Sequence, residues 1–241
     1  ESRAAAAGGV TSVMDMPNTN PLTVTLDALN AKFDLLNEKC IVNHSCYFGA
    51  TNDNYTEFDK LDKHRVCGIK LFMGSSTGNM LVDKMNSLLK IFNGTDMLIA
   101  AHCEDQEIIK ANIEKYKEKY KGEDDVPVNS HSGIRSTAAC YTSSELAVRL
   151  AKIAGARLHI LHVSTAKELQ LFSDEPLENK NITSEACVAH LLFMQTHYNS
   201  LGTRIKCNPA IKRKTDREVL RAAVNSGLID VIATDHAPHL L

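Results

Sequence analysis

Short apolar segments alternate with longer amphipathic ones along this chain, and this alternation restricts the fold more than any other feature. The short segments are apolar on both faces, as are the strands of a parallel sheet that is covered by helices. Strands are predicted at 10–16, 42–50, 67–73, 97–103, 157–163, 182–188, 204–209 and 230–236. About six or seven strand–helix units in this length favour a (β/α)8 TIM-type barrel over an open doubly wound sheet.

Helices are predicted between the strands because apolar residues recur there with a 3.6-residue period. They cover 26–39, 104–122, 136–155 and 215–227, and Thr215 is the expected N-cap of the last one. The polar stretch 121–133 is expected to be a surface loop. The chain begins in the back half of a helix that ends at Gly8 and Gly9, and it stops just after a strand. We therefore expect residues 1–241 to form one partial barrel domain, truncated at both ends.

Composition excludes several classes of protein. The formal net charge is −2 with acids and bases interspersed, which argues against a protein that binds nucleic acid or a membrane surface. The seven cysteines are scattered and form no CxxC pair, a usage that fits a reducing cytosol. No apolar run is long enough to span a bilayer. A cytoplasmic protein that acts on a small molecule is the expectation.

Polar residues at the ends of the predicted strands carry the chemistry. They are Asp15, Asn18, Lys70, His102, His162, Asn208, Asp235 and His236. In a parallel barrel the C-terminal strand ends converge on one mouth, so these side chains are expected to meet there. Histidines with an aspartate suggest zinc or a similar divalent ion, which lowers the pKa of bound water while a carboxylate carries protons.

Each of these residues also has a structural interpretation. A single strand histidine is more often a packing residue, and His159 in particular is expected to be structural. Asp235 could cap a helix, and Asn18 and Asn208 could be turn residues. Lys70 lies in an apolar run, where an ammonium group either reaches water along its aliphatic stem or has been modified. The functional interpretation is favoured because it explains several strand ends at once.

Five segments in register resemble one enzyme family. They are GGVTSVMDMPNTNP, GIKLFMGSSTGNML, AHCED, LHILHVSTA and ATDHAPH, and together they resemble dihydroorotase, a cyclic amidohydrolase of the amidohydrolase superfamily. The MPNT segment favours dihydroorotase or allantoinase over the hydantoinase and dihydropyrimidinase branch. The resemblance runs through the whole chain in order.

The resemblance implies roles for particular residues. Lys70 would be carbamylated by CO₂ and would bridge two zinc ions, while His102 and His162 would bind the second ion. Asp235 would bind the first ion and act as general base and acid. The substrate's carboxylate and ring would be contacted by Asn18, Asn208 and His239. Four further residues match family positions without an assigned role: His131, Arg135, Glu185 and His190.

The resemblance also implies an activity, the interconversion of L-dihydroorotate and N-carbamoyl-L-aspartate in de novo pyrimidine biosynthesis through a metal-bridging hydroxide. The family's first-strand HxHFR segment and its small flanking β domain are missing from this sequence, so the parent protein is expected to supply them. Allantoinase, another cyclic-amide hydrolase and a catalytically inactive scaffold homologue are the alternatives. The expected partner is a small-molecule substrate, and a homodimer is left open.

Overall fold

The computed structural model describes residues 1–74 and 79–237 and shows an α/β protein with a seven-stranded sheet. The strands are β1 (Ser12–Asp15), β2 (Asn43–Gly49), β3 (Val66–Phe72), β4 (Ile99–His102), β5 (Leu158–Ile160), β6 (Ile182–Cys187) and β7 (Val231–Ala233). Each strand lies beside the next one in the chain. A parallel sheet in sequence order with helical connections is the topology of part of a (β/α)8 barrel, which confirms the predicted fold class.

Helices connect these strands. The α-helices are α1 (Ser2–Ala7), α2 (Leu26–Lys39), α3 (Met85–Asn93), α4 (Gln106–Lys119), α5 (His131–Ile134), α6 (Thr137–Ala154), α7 (Val188–Leu192), α8 (Tyr198–Leu201) and α9 (Lys214–Asn225). Short 3₁₀ helices cover Tyr55–Lys60, Val128–Ser130, Glu168–Leu171, Leu177–Asn179, Gln195–His197 and Gly202–Ile205. None of the helices described is long and apolar enough to cross a membrane.

The chain divides into two compact units. One comprises Glu1–Ala101 and Leu150–Arg157, and the other comprises His102–Arg149 and Leu158–Leu241. The prediction of one partial domain over 1–241 is not tested by this division and stays a prediction. The seven cysteines, all of them in the described ranges, are free thiols.

In the first unit β1 pairs with β2 and β2 with β3, both parallel. Helix α2 covers this sheet with Leu29 and Phe33, and it begins where the Thr25 hydroxyl accepts a hydrogen bond from the amide of Ala28. Strand β3 is buried along nearly its whole length, as its apolar sequence predicted. Gly68 in this strand is required by packing, because a Cβ atom there would lie 2.5 Å from the carbonyl oxygen of Leu98.

In the second unit β5 pairs with β6 and β6 with β7, again parallel. The same unit contains a hydrophobic cluster of Tyr198, Ile205 and Ile211, against which Ala189 and Phe193 pack. Helix α4 begins at Asp105, whose side chain accepts a hydrogen bond from the amide of Ile108 at 2.9 Å. This cap follows directly on the residues that end β4, so the path of the chain away from the strand end is fixed locally.

Three sequence predictions about elements are wrong. Residues 204–209 form no strand, because Pro209 has no amide to donate and the segment bonds to side chains instead of to a neighbouring strand. Helix α9 has Arg213 as its N-cap in place of Thr215. The stretch 121–133 is partly helical, since a 3₁₀ turn and the start of α5 lie within it.

Candidate metal centre

Two predicted ligands of the second unit, His102 and His162, lie in direct contact. His102 is the last residue of β4, and His162 follows β5 by two residues, so both are at the C-terminal ends of strands. Nδ1 of His102 lies 3.0 Å from Nε2 of His162, and both side chains are buried. Residues 60 positions apart thus bring two imidazole nitrogens to one point, as the convergence of strand ends predicted.

Glu104 decides which nitrogen of His102 carries the proton. Its Oε2 atom lies 2.9 Å from Nε2 of His102 and also contacts the guanidinium of Arg135. Burial by itself raises the pKa of this carboxyl, but the hydrogen bond from His102 and the charges of His102, Arg135 and Lys212 hold the pKa below its ordinary value. An ionised carboxylate only accepts hydrogen bonds, so Nε2 of His102 donates and Nδ1 presents its lone pair to His162.

The backbone is strained at two predicted ligands. His162 has φ 40° and Asp235 has φ 46°, and within the described ranges they are the non-glycine residues with positive φ. Such conformations cost on the order of 1–3 kcal/mol and persist where the surroundings impose them, often at functional sites. Each lies two residues after the end of a parallel strand, His162 after β5 and Asp235 after β7.

The histidine pair fits a zinc ion in its donor chemistry. Neutral imidazole nitrogens are zinc ligands, and a carboxylate on the far nitrogen of a ligating histidine orients the ring. In residues 1–74 and 79–237, no group of three or more histidine, cysteine, aspartate and glutamate side chains is gathered as a complete ligand set. The described residues therefore provide two convergent ligands, and the roles of His102, His162 and Asp235 stay predictions.

Lys70 belongs to the first unit, where it lies in β3 and is 3% exposed. Its Nζ atom lies 3.9 Å above the ring centroid of Phe72. The side chain is thus buried and packs against an aromatic ring instead of reaching bulk water. Carbamylation itself stays a prediction.

The three predicted substrate contacts have different surroundings. Asn18 is exposed in the turn that follows β1, and His239 lies outside the described residues. Asn208 is exposed, and its Oδ1 atom lies 3.1 Å from Nε2 of His131. The same Nε2 atom lies 2.9 Å from the carbonyl oxygen of Cys207, which can only accept. Nε2 of His131 therefore donates, and the amide group of Asn208 points away from it as a hydrogen-bond donor.

Other polar residues of the second unit support this region. His190 is buried and its Nε2 atom donates to the carbonyl oxygen of Pro209 at 2.9 Å, so it holds the segment that carries Asn208. His159 contacts Oε2 of Glu185 at 3.1 Å and the hydroxyl of Thr183 at 2.8 Å. His159 is thus the structural residue that the sequence predicted.

Glu104 and Glu168 are the two residues of interest that sequence reasoning missed. The signal for Glu104 was present, since AHCED places a carboxylate two residues after a strand-end histidine. Glu168 follows HVSTA and forms a T-x-x-E pattern with Thr165, which is the pattern of a helix capping box. Neither pattern predicts that the carboxylate is buried. Both residues matter because their buried carboxylates accept hydrogen bonds from the candidate site or from the backbone beside it.

Comparison with known proteins supports the resemblance seen in the motifs. No family model matches the chain. Dihydroorotase from Bacillus pumilus is 30% identical over 244 residues, and dihydroorotase from Halobacterium salinarum is 31% identical over 240 residues. Each alignment covers 99% of this chain and 54% or 53% of the relative. The chain spans about half the length of the curated relatives it matches.

Solved structures give a second comparison. The L-hydantoinase (dihydropyrimidinase) from Arthrobacter aurescens matches with a TM-score of 0.89 and 27% identity, over 98% of this chain and 52% of that one. A D-hydantoinase from Bacillus sp. AR9 matches with a TM-score of 0.84 at 20% identity, over 99% of this chain and 53% of that one, and shows the fold alone. The sequence relatives are thus dihydroorotases, and the structure at 27% identity is a hydantoinase. The predicted resemblance is confirmed.

Proposed function

We propose, because this chain is a homologue of the dihydroorotases over nearly its whole length, that the protein carrying it is a zinc-dependent cyclic amidohydrolase. Its substrate would be L-dihydroorotate, which it would interconvert with N-carbamoyl-L-aspartate in pyrimidine biosynthesis. The sequence relatives favour this substrate, and the resemblance to a hydantoinase agrees with a cyclic amide. A cytoplasmic location fits the scattered free thiols.

The metal would be held by residues already described. His102 and His162 would bind one zinc ion and Asp235 would bind the other, while a carbamate on Lys70 stays a separate prediction for the first unit. Bound zinc lowers the pKa of water toward neutrality and polarises a carbonyl group. The protein's own contribution at this point is the Glu104 carboxylate, which keeps the proton on Nε2 of His102, so that the lone pair of Nδ1 would be the ligating group.

The remaining residues would move protons and hold the substrate. In the hydrolytic direction water adds to the ring amide carbonyl, and Asp235 accepts the proton that the water gives up. As the C–N bond breaks, Asp235 delivers that proton to the departing nitrogen, and ring closure is the reverse. Asn208, whose amide is turned outward by His131, would donate a hydrogen bond to the substrate's carboxylate, with Asn18 and His239 as further contacts.

One observation carries the proposal: two imidazole nitrogens 3.0 Å apart, one ring being oriented by an anionic carboxylate. Two neutral lone pairs facing each other repel unless a proton or a cation lies between them. A purely structural pair would need one proton there. A metal centre would place zinc there, and the homology favours the metal.

A substrate panel tests the proposal. The full-length protein is assayed after zinc loading on L-dihydroorotate, allantoin, hydantoin and dihydrouracil, beside a His162→Ala variant. Preferential turnover of dihydroorotate that the variant loses is the expected result. Preference for allantoin or hydantoin would show that the proposed substrate is wrong and that the proposed reaction, hydrolysis of a cyclic amide, is right. Zinc binding without turnover of any of the four would support the inactive scaffold homologue.

A further inference from the structure

The segment that follows β5 has an unusual set of hydrogen bonds. Five consecutive amides, those of 162–166, all donate to acidic residues. The first donates to Oε1 of Glu185 at 3.2 Å and the second to the carbonyl oxygen of Glu185 at 2.8 Å. The third and fourth donate to Oε2 of Glu168 at 3.4 and 3.2 Å, and the fifth to Oδ1 of Asp216 at 2.9 Å. The segment thus depends on side chains where β5 ends.

Glu168 is the most buried of these acceptors, at 3% exposure. Its Oε2 atom also accepts the hydroxyl of Thr165 at 2.8 Å, and its Oε1 atom accepts the hydroxyl of Ser144 at 2.8 Å. Its own amide donates back to the Thr165 hydroxyl at 3.2 Å, so Thr165 and Glu168 exchange bonds in the manner of a capping box, in the turn before the 3₁₀ helix Glu168–Leu171. The exchange between Glu168 and Thr165 does not require the amide of Ser164. The additional bond from that amide to Oε2 of Glu168 extends the contact toward His162.

The strain at His162 explains why such a contact is needed. A φ of 40° is unfavourable for a histidine and relaxes unless neighbouring bonds prevent it. The bond from the amide of His162 to Glu185 fixes one side of the residue, and the bonds from Ser164 and Thr165 to Glu168 fix the other. Removing either anchor would let the chain rotate, and the imidazole would leave His102.

We propose that Glu168 is a positioning residue that holds the backbone of His162 in its left-handed conformation and so aims Nε2 of His162 at Nδ1 of His102. This role goes beyond the reaction proposed above and rests on it, because it presumes that His162 is a metal ligand. Glu168 touches neither the imidazole nor the predicted substrate contacts in any bond described here, so it acts through the backbone alone.

Three variants of the full-length protein test this role. Glu168→Leu keeps the size of the side chain and removes both acceptors, whereas Glu168→Gln keeps one acceptor oxygen for the backbone amides. Ser144→Ala is the matched control, because Ser144 contacts only Oε1. The zinc dissociation constant, measured by competition with a chelating dye, is expected to rise about 10- to 100-fold in Glu168→Leu. It is expected to stay within about threefold of wild type in the other two variants.

Hydrogen exchange of the metal-free protein gives a second measurement. Exchange at the amides of 164 and 165 is expected to accelerate in Glu168→Leu, and the three-bond HN–Hα coupling of His162 is expected to change with φ. Where His162→Ala weakens zinc binding, faster exchange in Glu168→Leu together with wild-type zinc affinity would overturn the proposal. Should Glu168→Leu not fold, Glu168→Asp, which is one methylene too short to reach both amides, is held to the same two criteria.

The two proposals can fail separately. If His162→Ala binds zinc as tightly as wild type, the metal assignment fails, whatever Glu168 does. The exchange rates and the His162 coupling then decide on Glu168 alone. Unchanged values in Glu168→Leu would reject its positioning role, and changed values would support it.

Discussion

At the scale of single residues, the molecule uses one side chain to fix the hydrogen-bonding role of another. Glu104 selects the tautomer of His102, and His131 selects the orientation of the Asn208 amide. The Glu104 carboxylate can only accept, so Nδ1 of His102 is left with the lone pair. Nε2 of His131 donates, so the side-chain amide of Asn208 is left to donate elsewhere. The hydrogen-bonding role of His102 and of Asn208 therefore depends on a neighbouring side chain, and replacing Glu104 or His131 tests that dependence.

The pair of His131 and Asn208 gives the first prediction. Replacing His131 by leucine lets the Asn208 amide turn, so KM for the proposed substrate, L-dihydroorotate, should rise about tenfold with a smaller change in kcat, since one oriented hydrogen bond is lost. Asn208→Ala should have a similar effect, and the double variant should be little worse than either single one. Steady-state kinetics measures this, with His44→Gln as the control. Additive losses in the double variant would show that the two residues act separately.

His190 gives a prediction about pH. Burial lowers the pKa of His190 from 6.5 to about 4, so the folded protein keeps this imidazole neutral while the unfolded chain protonates it readily. Stability from this residue is therefore present above about pH 6.5 and is lost as the pH falls toward 4, in total about 3 kcal/mol.

Replacing His190 by glutamine retains a donor for the carbonyl oxygen of Pro209 and removes the titration. Urea unfolding at pH 7, 6, 5 and 4.5 should show that the wild type loses stability more steeply than His190→Gln does. Parallel curves for the two proteins would mean that His190 titrates normally in the folded state.

At the scale of elements, the closeness of neighbouring strands sets which residues are tolerated. Gly68 in β3 approaches the backbone of Leu98 so closely that Gly68→Ala should reduce the free energy of unfolding by about 2 kcal/mol, the usual effect of overpacking. Gly8→Ala is the control, because a Cβ atom there would meet its nearest neighbour at an ordinary 3.4 Å and should change stability by less than about 0.5 kcal/mol. Urea unfolding of both variants measures the difference. Equal stabilities would show that β3 can shift.

Elements were predictable where local pattern alone determines them. Helix α2 was predicted with its observed bounds, since its apolar period and its Thr25 cap are both written in the sequence. Helix α3 was not predicted although Met85, Leu88 and Phe92 have helical spacing, because it is only nine residues long and Lys84 provides no side-chain cap at its start. The segment 204–209 alternates polar residues with Ile205 and Cys207 as a half-buried strand does, but Pro209 and the bonds to His131 and His190 keep it out of the sheet.

The candidate site was predictable to the same extent. Strand-end position identified His102 and His162, because a parallel barrel brings such residues together whatever lies between them. It could not identify Glu104 and Glu168, whose importance comes from burial and from the hydrogen bonds they receive. Conformation at positive φ is likewise a property of the folded chain, and it marks His162 and Asp235 independently of their side chains.

At the scale of the whole molecule, metal binding and folding should be coupled. A ligand that binds only the folded protein stabilises it by RT ln(1 + [L]/Kd), which is about 2.7 kcal/mol at a hundredfold excess over Kd. The strained backbone at His162 strengthens this coupling. Its φ of 40° is unfavourable by itself, and a zinc ion bound to the imidazole would stabilise the folded chain in that conformation.

The corresponding prediction concerns metal removal from the full-length protein. Chelation should lower the unfolding midpoint, and zinc in hundredfold excess over Kd should restore about 2.7 kcal/mol. His102→Ala and His162→Ala should each abolish the response to zinc, since each removes one of the two convergent nitrogens. The exposed His64 provides the control, and His64→Gln should respond as the wild type does. A full zinc response in either alanine variant would place the metal elsewhere, because a site built on this pair cannot keep its affinity when half of the pair is gone.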